Sequence, residues 1–118
     1  MKQRVRLRRK SDFQATISGR RFHSGRALVG FAAPGGDQAR VGVTVSRGIK
    51  SSVERNRARR RLREVARRRF LGPDSPLRDV GIRYDVVLIA RPAALEVSFA
   101  DLTAEASLAA LRLSKLNS

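Results

Sequence analysis

The spacing of apolar positions changes along this chain, and each change marks an element. Val41, Val43 and Val45 alternate with Gly42, Thr44 and Ser46, so residues 40–46 read as a strand with one apolar face. The other face is small and polar, open to solvent or to a ligand. Ala27 to Ala33 reads as the preceding strand, with Pro34-Gly35-Gly36-Asp37 as the turn between them. Arg20 to Phe22 start a short edge strand. Residues 83–91 form the most apolar strand, expected in the centre of the sheet and covered on both faces, with Pro92 ending it.

Elsewhere the period lengthens to that of a helix. Ser51 and Glu54 have the spacing of a capping box, and Gly72 and Pro73 provide a stop, so 51–70 is predicted helical. Ala58, Leu62, Val65 and Ala66 share its core-facing arc. Ser98 with Asp101 opens a second capped helix, Phe99 to Lys115, with Leu102, Ala106, Ala109, Leu113 and Leu116 on one stripe. A shorter helix over Asp12 to Ser18 is expected to be capped by Ser11 and stopped at Gly19, with Phe13 and Ile17 on one face. Residues 71–82, with Gly72, Pro73, Pro76 and Gly81, read as a loop. The order is α-β-β-β-α-β-α: a single α+β domain, a sheet with helices over residues 11–118, preceded by a basic arm over 1–10 that RNA or DNA could order.

Charge changes the picture. The chain carries 26 basic residues against 10 acidic ones, a formal net charge of +16. Such an excess points to nucleic acid or to an anionic surface. Its sharpest expression is on the 51–70 helix. Asn56, Arg59, Arg60, Arg63 and Arg67 share one arc without an acid, while Glu54 and Glu64 lie to its side. Like charges one helical turn apart repel. A row of guanidiniums therefore reads either as a solvated charged face or as a site for an external polyanion, whose phosphates the planar fork of Arg can bind bidentately. Phe13 and Ile17 likewise have two readings: packing on the sheet, or lining a surface on which bases stack.

Catalytic chemistry is thin. The chain has no cysteine, and its single His23, read as a surface or strand-edge residue, cannot build a metal site. No acid pair has the spacing of a metal site or a general acid–base couple, and no phosphate-binding glycine loop appears. No apolar run reaches membrane-spanning length, and no apolar segment of a signal peptide follows the basic start, so the cytoplasm is the expected compartment.

Arg55-Asn56-Arg57-Ala58-Arg59-Arg60-Arg61-Leu62-Arg63-Glu64 resembles the RNR signature helix of the bacterial ribonuclease P protein subunit, R-N-R-x-K/R-R-x-x-R-E. Val41-Gly42-Val43-Thr44-Val45-Ser46-Arg47 resembles the strand before it in that family, Arg6 to Phe13 its entry segment, and Ile89-Ala90-Arg91 its last-strand ending. The resemblance covers nearly the whole chain in the right order. It implies an α-β sandwich with a left-handed βαβ crossover, here over residues 40–91, which general handedness rules do not predict. It implies an accessory subunit of an endoribonuclease whose RNA holds the catalytic Mg²⁺ ions and removes the 5′ leader of precursor tRNA. The implied partners are that RNA and the precursor tRNA, with no membrane and no obligate protein partner.

Residue by residue, the motif carries RNA binding to Arg55, Asn56, Arg57, Arg59, Arg60 and Arg63, and the basic arc adds Arg67. A leader cleft is implied at Phe13, Ile17, Phe31 and Arg47, with no catalytic or metal-binding residue in the protein. Two positions depart from the family pattern. Ile17 stands where a second aromatic is common, and Gly48 where a second basic residue usually follows Arg47. A structural RNA-binding protein of ribosomal type, or a basic protein of DNA or membrane surfaces, are the rival readings of the same charge.

Overall fold

The computed structural model describes residues 6–7, 9–35, 39–79 and 83–117. In chain order these form α1 (Lys10–Ile17), β1 (Arg20–Ser24), β2 (Leu28–Pro34), β3 (Arg40–Val45), α2 (Ser52–Arg69), β4 (Tyr84–Ala90) and α3 (Phe99–Ser114). The order matches the one read from the sequence. Short 3₁₀ turns at Pro76–Asp79 and Pro92–Leu95 break up the expected loop and lead into α3. Most of the basic arm, and Gly36, Asp37 and Gly81 of the expected turn and loop, lie outside the described residues.

The four strands make one sheet in the order β1-β2-β4-β3. β1 and β4 each run antiparallel to β2, and β3 runs parallel to β4. A parallel pair needs a long crossover, and α2 supplies it. The register sorts the side chains. Val41, Val43 and Val45 stand beside Val86, Leu88 and Ala90, and these beside Ala32, Gly30 and Leu28. All the apolar side chains of that face join one core with Ala58, Leu62, Val65 and Ala66 of α2 and Leu102, Ala106, Ala109 and Leu113 of α3. The helix arcs predicted from periodicity are therefore the buried ones. Ser51 caps α2 by accepting from the Glu54 amide at 3.4 Å, and Ser98 caps α3 by accepting from Asp101 at 3.1 Å.

Two expectations need correction. Ser11 is not the cap of α1; the helix starts at Lys10 with extended Arg9 as its N-cap and no side-chain cap. The reason is upstream. Leu7, 2% exposed, donates its N–H to the Val41 carbonyl at 3.1 Å and fixes the entry to the helix by burial. Leu7 thus belongs to the fold rather than to a free arm. The edge strand that starts at Arg20 runs on to Ser24, and a bulge between Arg21 and His23 turns both Phe22 and His23 toward α3 and the core. Gly30 makes room: a Cβ there would come within 2.5 Å of the Phe22 ring.

The second correction concerns His23, which is on the edge strand but buried, at 3% exposure. Its Nε2 lies 2.9 Å from Glu105 Oε2, and its Nδ1 lies 3.0 Å from Arg112 Nη1. Arg can only donate, so Nδ1 accepts and Nε2 carries the hydrogen that Glu105 receives. The same carboxylate accepts the backbone N–H groups of Ala27 at 2.9 Å and Leu28 at 3.0 Å. One acid on α3 therefore closes the β1–β2 turn. Replacing Glu105 by Ala strands two backbone donors and the imidazole, each costing about 1–3 kcal/mol when left unpaired under cover. Urea unfolding followed by circular dichroism is expected to show a total loss of about 3 kcal/mol or more.

Candidate nucleic-acid interface

Two surfaces of different chemistry flank β3. The first is the outer face of α2. The 18-residue helix buries Ala58, Leu62, Val65 and Ala66 completely, which leaves the arc of Asn56, Arg59, Arg60, Arg63 and Arg67 facing outward. Asn56, Arg59, Arg60 and Arg63, with Val53, line a groove of about 550 Å³. Asn56 Oδ1 accepts from Arg59 Nη1 at 3.1 Å, so the amide holds one guanidinium in place. Burial, and then the nearby Arg6 and Arg59 cations, push the pKa of Arg63 below its ordinary value. Arg63 still keeps its proton, since guanidinium titrates far above neutrality. The repulsion among these cations is the kind that a bound anion relieves.

Arg6 is an addition to the site read from the sequence. A single bridge pairs it with Val41 on the free edge of β3 and carries it to the Arg63 side. Sequence separation hid it, because periodicity within one helix cannot register a partner from another segment.

The remaining basic residues of the motif are placed differently. Arg57 is exposed beside the groove. Arg55 turns inward: its Nη1 donates to the carbonyls of Ser46 at 3.3 Å and Ile49 at 2.9 Å, fastening the loop between β3 and α2. Arg61 also serves the fold, donating to the carbonyls of Ala94 at 2.8 Å and Val97 at 2.7 Å. Arg67 is bound by an acid from its own helix. Glu64 accepts from Arg67 at 2.6 Å and from Arg68 at 2.8 Å. Those hydrogen bonds, the Arg67 one foremost, hold the Glu64 carboxyl below its usual range and raise Arg67 in turn.

The second surface is the sheet face opposite the main core. The register aligns Phe31, Val87 and Gly42 in one row, Val29, Ile89 and Thr44 in the next, and Ala33, Asp85 and Arg40 in a third. Helix α1 packs over β2 and β4 on this side. Phe13 rests on Gly42, where a Cβ would come within 2.5 Å of the ring edge, so only glycine lets the ring lie this close to the strand. Val87 is fully buried yet separate from the main core, consistent with cover from this side. Phe31 is half-buried, and Ile17 at 38% exposure carries the apolar wall outward. Arg47 is exposed just beyond the end of β3. The strand that reads as central and doubly covered is so, between β2 and β3.

The result is a sheet face with an apolar row beside α1, an Asp85–Arg40 row next to it and the Arg47 cation just beyond the end of β3. Such a surface suits flat, uncharged faces attached to a phosphate chain better than a small polar substrate. Among the described residues, no group of three or more His, Cys, Asp or Glu stands together as a metal site would need. Among the same residues, no helix is long and apolar enough to cross a membrane.

Comparisons with known proteins bear directly on this arrangement. The family model described as Ribonuclease P matches residues 1–114. The ribonuclease P protein component of Acidothermus cellulolyticus is 39% identical over 107 residues, covering 86% of this chain and 82% of that protein. The ribonuclease P protein component of Brucella melitensis is 36% identical over 115 residues, covering 90% of this chain and 77% of that one. The fold is that of the RNase P protein of Staphylococcus aureus, with a TM-score of 0.70 at 22% identity over 95% of this chain and 96% of that one. The RNase P protein from Thermotoga maritima superposes with a TM-score of 0.64 at 26% identity, over 85% of this chain and 89% of that one. A basic helix crossing between parallel strands, a matching family model along nearly the full length and relatives identical at more than a third of the aligned residues lead to one assignment: the chain belongs to the ribonuclease P protein family, the accessory protein components of that endoribonuclease.

Proposed function

We propose that this protein binds the catalytic RNA of ribonuclease P through the α2 groove and the 5′ leader of precursor tRNA through the cleft under α1, assisting removal of the leader. The observation that carries the proposal is the pairing of two unlike surfaces around one strand. The groove is cationic, with Asn56, Arg59, Arg60 and Arg63 on it. The cleft is apolar, with Phe13 and Phe31 over a glycine and valine floor. A folded RNA offers dense phosphate, which the groove suits. A single-stranded leader offers bases that stack on Phe without sequence preference, as a subunit serving many precursors requires. Mg²⁺ belongs to the RNA in this reading. A ribosomal-type role without cleavage is not favoured by the family match. The cytoplasm, where precursor tRNA is made, is the proposed compartment.

The decisive assay is precursor-tRNA cleavage by a cognate catalytic RNA at low Mg²⁺, with and without this protein. Restoration of 5′-leader removal is expected. Binding to the RNA that changes neither rate nor Mg²⁺ requirement would refute the proposed role. Replacing Arg59, Arg60 and Arg63 together by Ala is expected to weaken RNA binding and flatten the log–log salt slope by roughly 0.7–0.9 for each phosphate that is no longer neutralised. An unchanged slope in a salt titration counts against the groove.

Glu64 permits the converse test. Its carboxyl pKa lies below the usual range in the folded protein, so its pairing is intact at neutral pH and is lost as pH falls through that lowered value. Glu64→Gln imitates the acid form at neutral pH and frees Arg67 and Arg68 for phosphate. The salt slope should steepen by about 0.7–0.9 for each cation that engages. Fluorescence-anisotropy titrations at several salt concentrations would measure it.

A further inference from the structure

The cleft presents a problem that its apolar floor conceals. A polyanion entering it must pass two carboxylates. Asp85 is on the floor, one row from Phe31, Val87 and Gly42, and Asp12 is on α1 beside Phe13. Both end on the same side chain. Arg40 Nε donates to Asp85 Oδ1 at 3.0 Å and its Nη2 to Asp85 Oδ2 at 2.7 Å, a two-pronged pairing. Arg40 Nη1 lies 3.6 Å from Asp12 Oδ2. The three side chains are 33%, 13% and 30% exposed for Arg40, Asp85 and Asp12, so all are close enough to solvent for a ligand to feel their charge. These carboxylates hold the Arg40 pKa above its ordinary value, Asp85 foremost.

We propose that Arg40 is a positioning residue for the leader: it masks Asp12 and Asp85, leaving the mouth of the cleft acceptable to a phosphate chain. The inference rests on the leader-cleft reading above and adds a residue that neither the signature helix nor the aromatic positions include. Formal charges make it specific. Asp12, Asp85 and Arg40 together carry −1. Removing Arg40 makes that −2; removing one acid as well brings it back to −1; removing Asp12 alone makes it 0. If Arg40 acts by charge, leader affinity follows this series. If Arg40 only packs, deleting its main partner too cannot restore anything.

The test uses the holoenzyme reconstituted with a cognate catalytic RNA. The readout is the ratio of its affinity for precursor tRNA with a leader to its affinity for mature tRNA without one. Arg40→Gln is expected to lower that ratio roughly two- to five-fold at low salt, with the loss shrinking as salt screens it. Arg40→Gln/Asp85→Asn is expected to recover most of the loss, and Asp12→Asn to match or exceed the wild-type ratio. A double variant as poor as the single one, or a loss indifferent to salt, overturns the proposal. Should Arg40→Gln fail to fold by circular dichroism, Asp12→Asn decides alone: a ratio below wild type sinks the masking role. A wild-type holoenzyme with no leader preference fails at an earlier step, overturning the cleft reading itself; a wild-type preference that Arg40→Gln keeps overturns only the assignment to Arg40.

Discussion

The parallel pairing of β3 with β4 is the constraint on which both surfaces depend. Val41 beside Val86, Val43 beside Leu88 and Val45 beside Ala90 bury one face against α2 and α3. The same register places Gly42 beside Val87 under Phe13. A slip of one residue would exchange the faces, moving the valines into the cleft and Gly42 and Thr44 into the core. Core and proposed binding surface are thus two sides of one strand. The apolar burial that stabilises the fold also sets the floor of the cleft, and α2, which closes the parallel connection, carries the guanidiniums with it.

Much of this was legible in the chain because it rests on local periodicity. The valine alternation, the Ser51 and Ser98 caps, and the buried arcs of α2 and α3 each depend on residues within a turn or two of one another. Phe13 was legible as a candidate for the cleft because its family position is distinctive. What escaped depends on residues far apart in sequence. Arg40 with Asp12 and Asp85, Arg6 beside Arg63, and Glu105 under the β1–β2 turn are all side-chain meetings across the sheet or between elements. The start of α1 was missed for the same reason, since burial of Leu7 against β3 outweighs the hydroxyl of Ser11. Within the basic motif, sequence could not separate Arg55, which faces inward to loop carbonyls, from Arg60, which faces out.

Both sheet edges are guarded against adventitious pairing. On β1, Arg20 and Arg21 are exposed, and a bulge interrupts the regular ladder. On β3, Leu7 takes the Val41 carbonyl. Charge, bulge and cover are the common ways of blunting an exposed edge. For a chain with so high a net charge they come at little cost, because repulsion between copies works in the same direction.

The link from His23 to Glu105 and Arg112 has a consequence for biosynthesis. These partners are separated by 82 and 89 positions, so the first hairpin reaches its final footing only when the last helix has been made. A chain emerging from the ribosome holds its N-terminal strands, and the entry segment that carries Phe13, without that support until α3 clears the exit tunnel. Pairings of such span slow folding and extend the time for which apolar strands stay uncovered. Completion of the domain therefore waits on the C-terminal helix, and a truncation there would loosen the first hairpin along with the face of α2 that it covers.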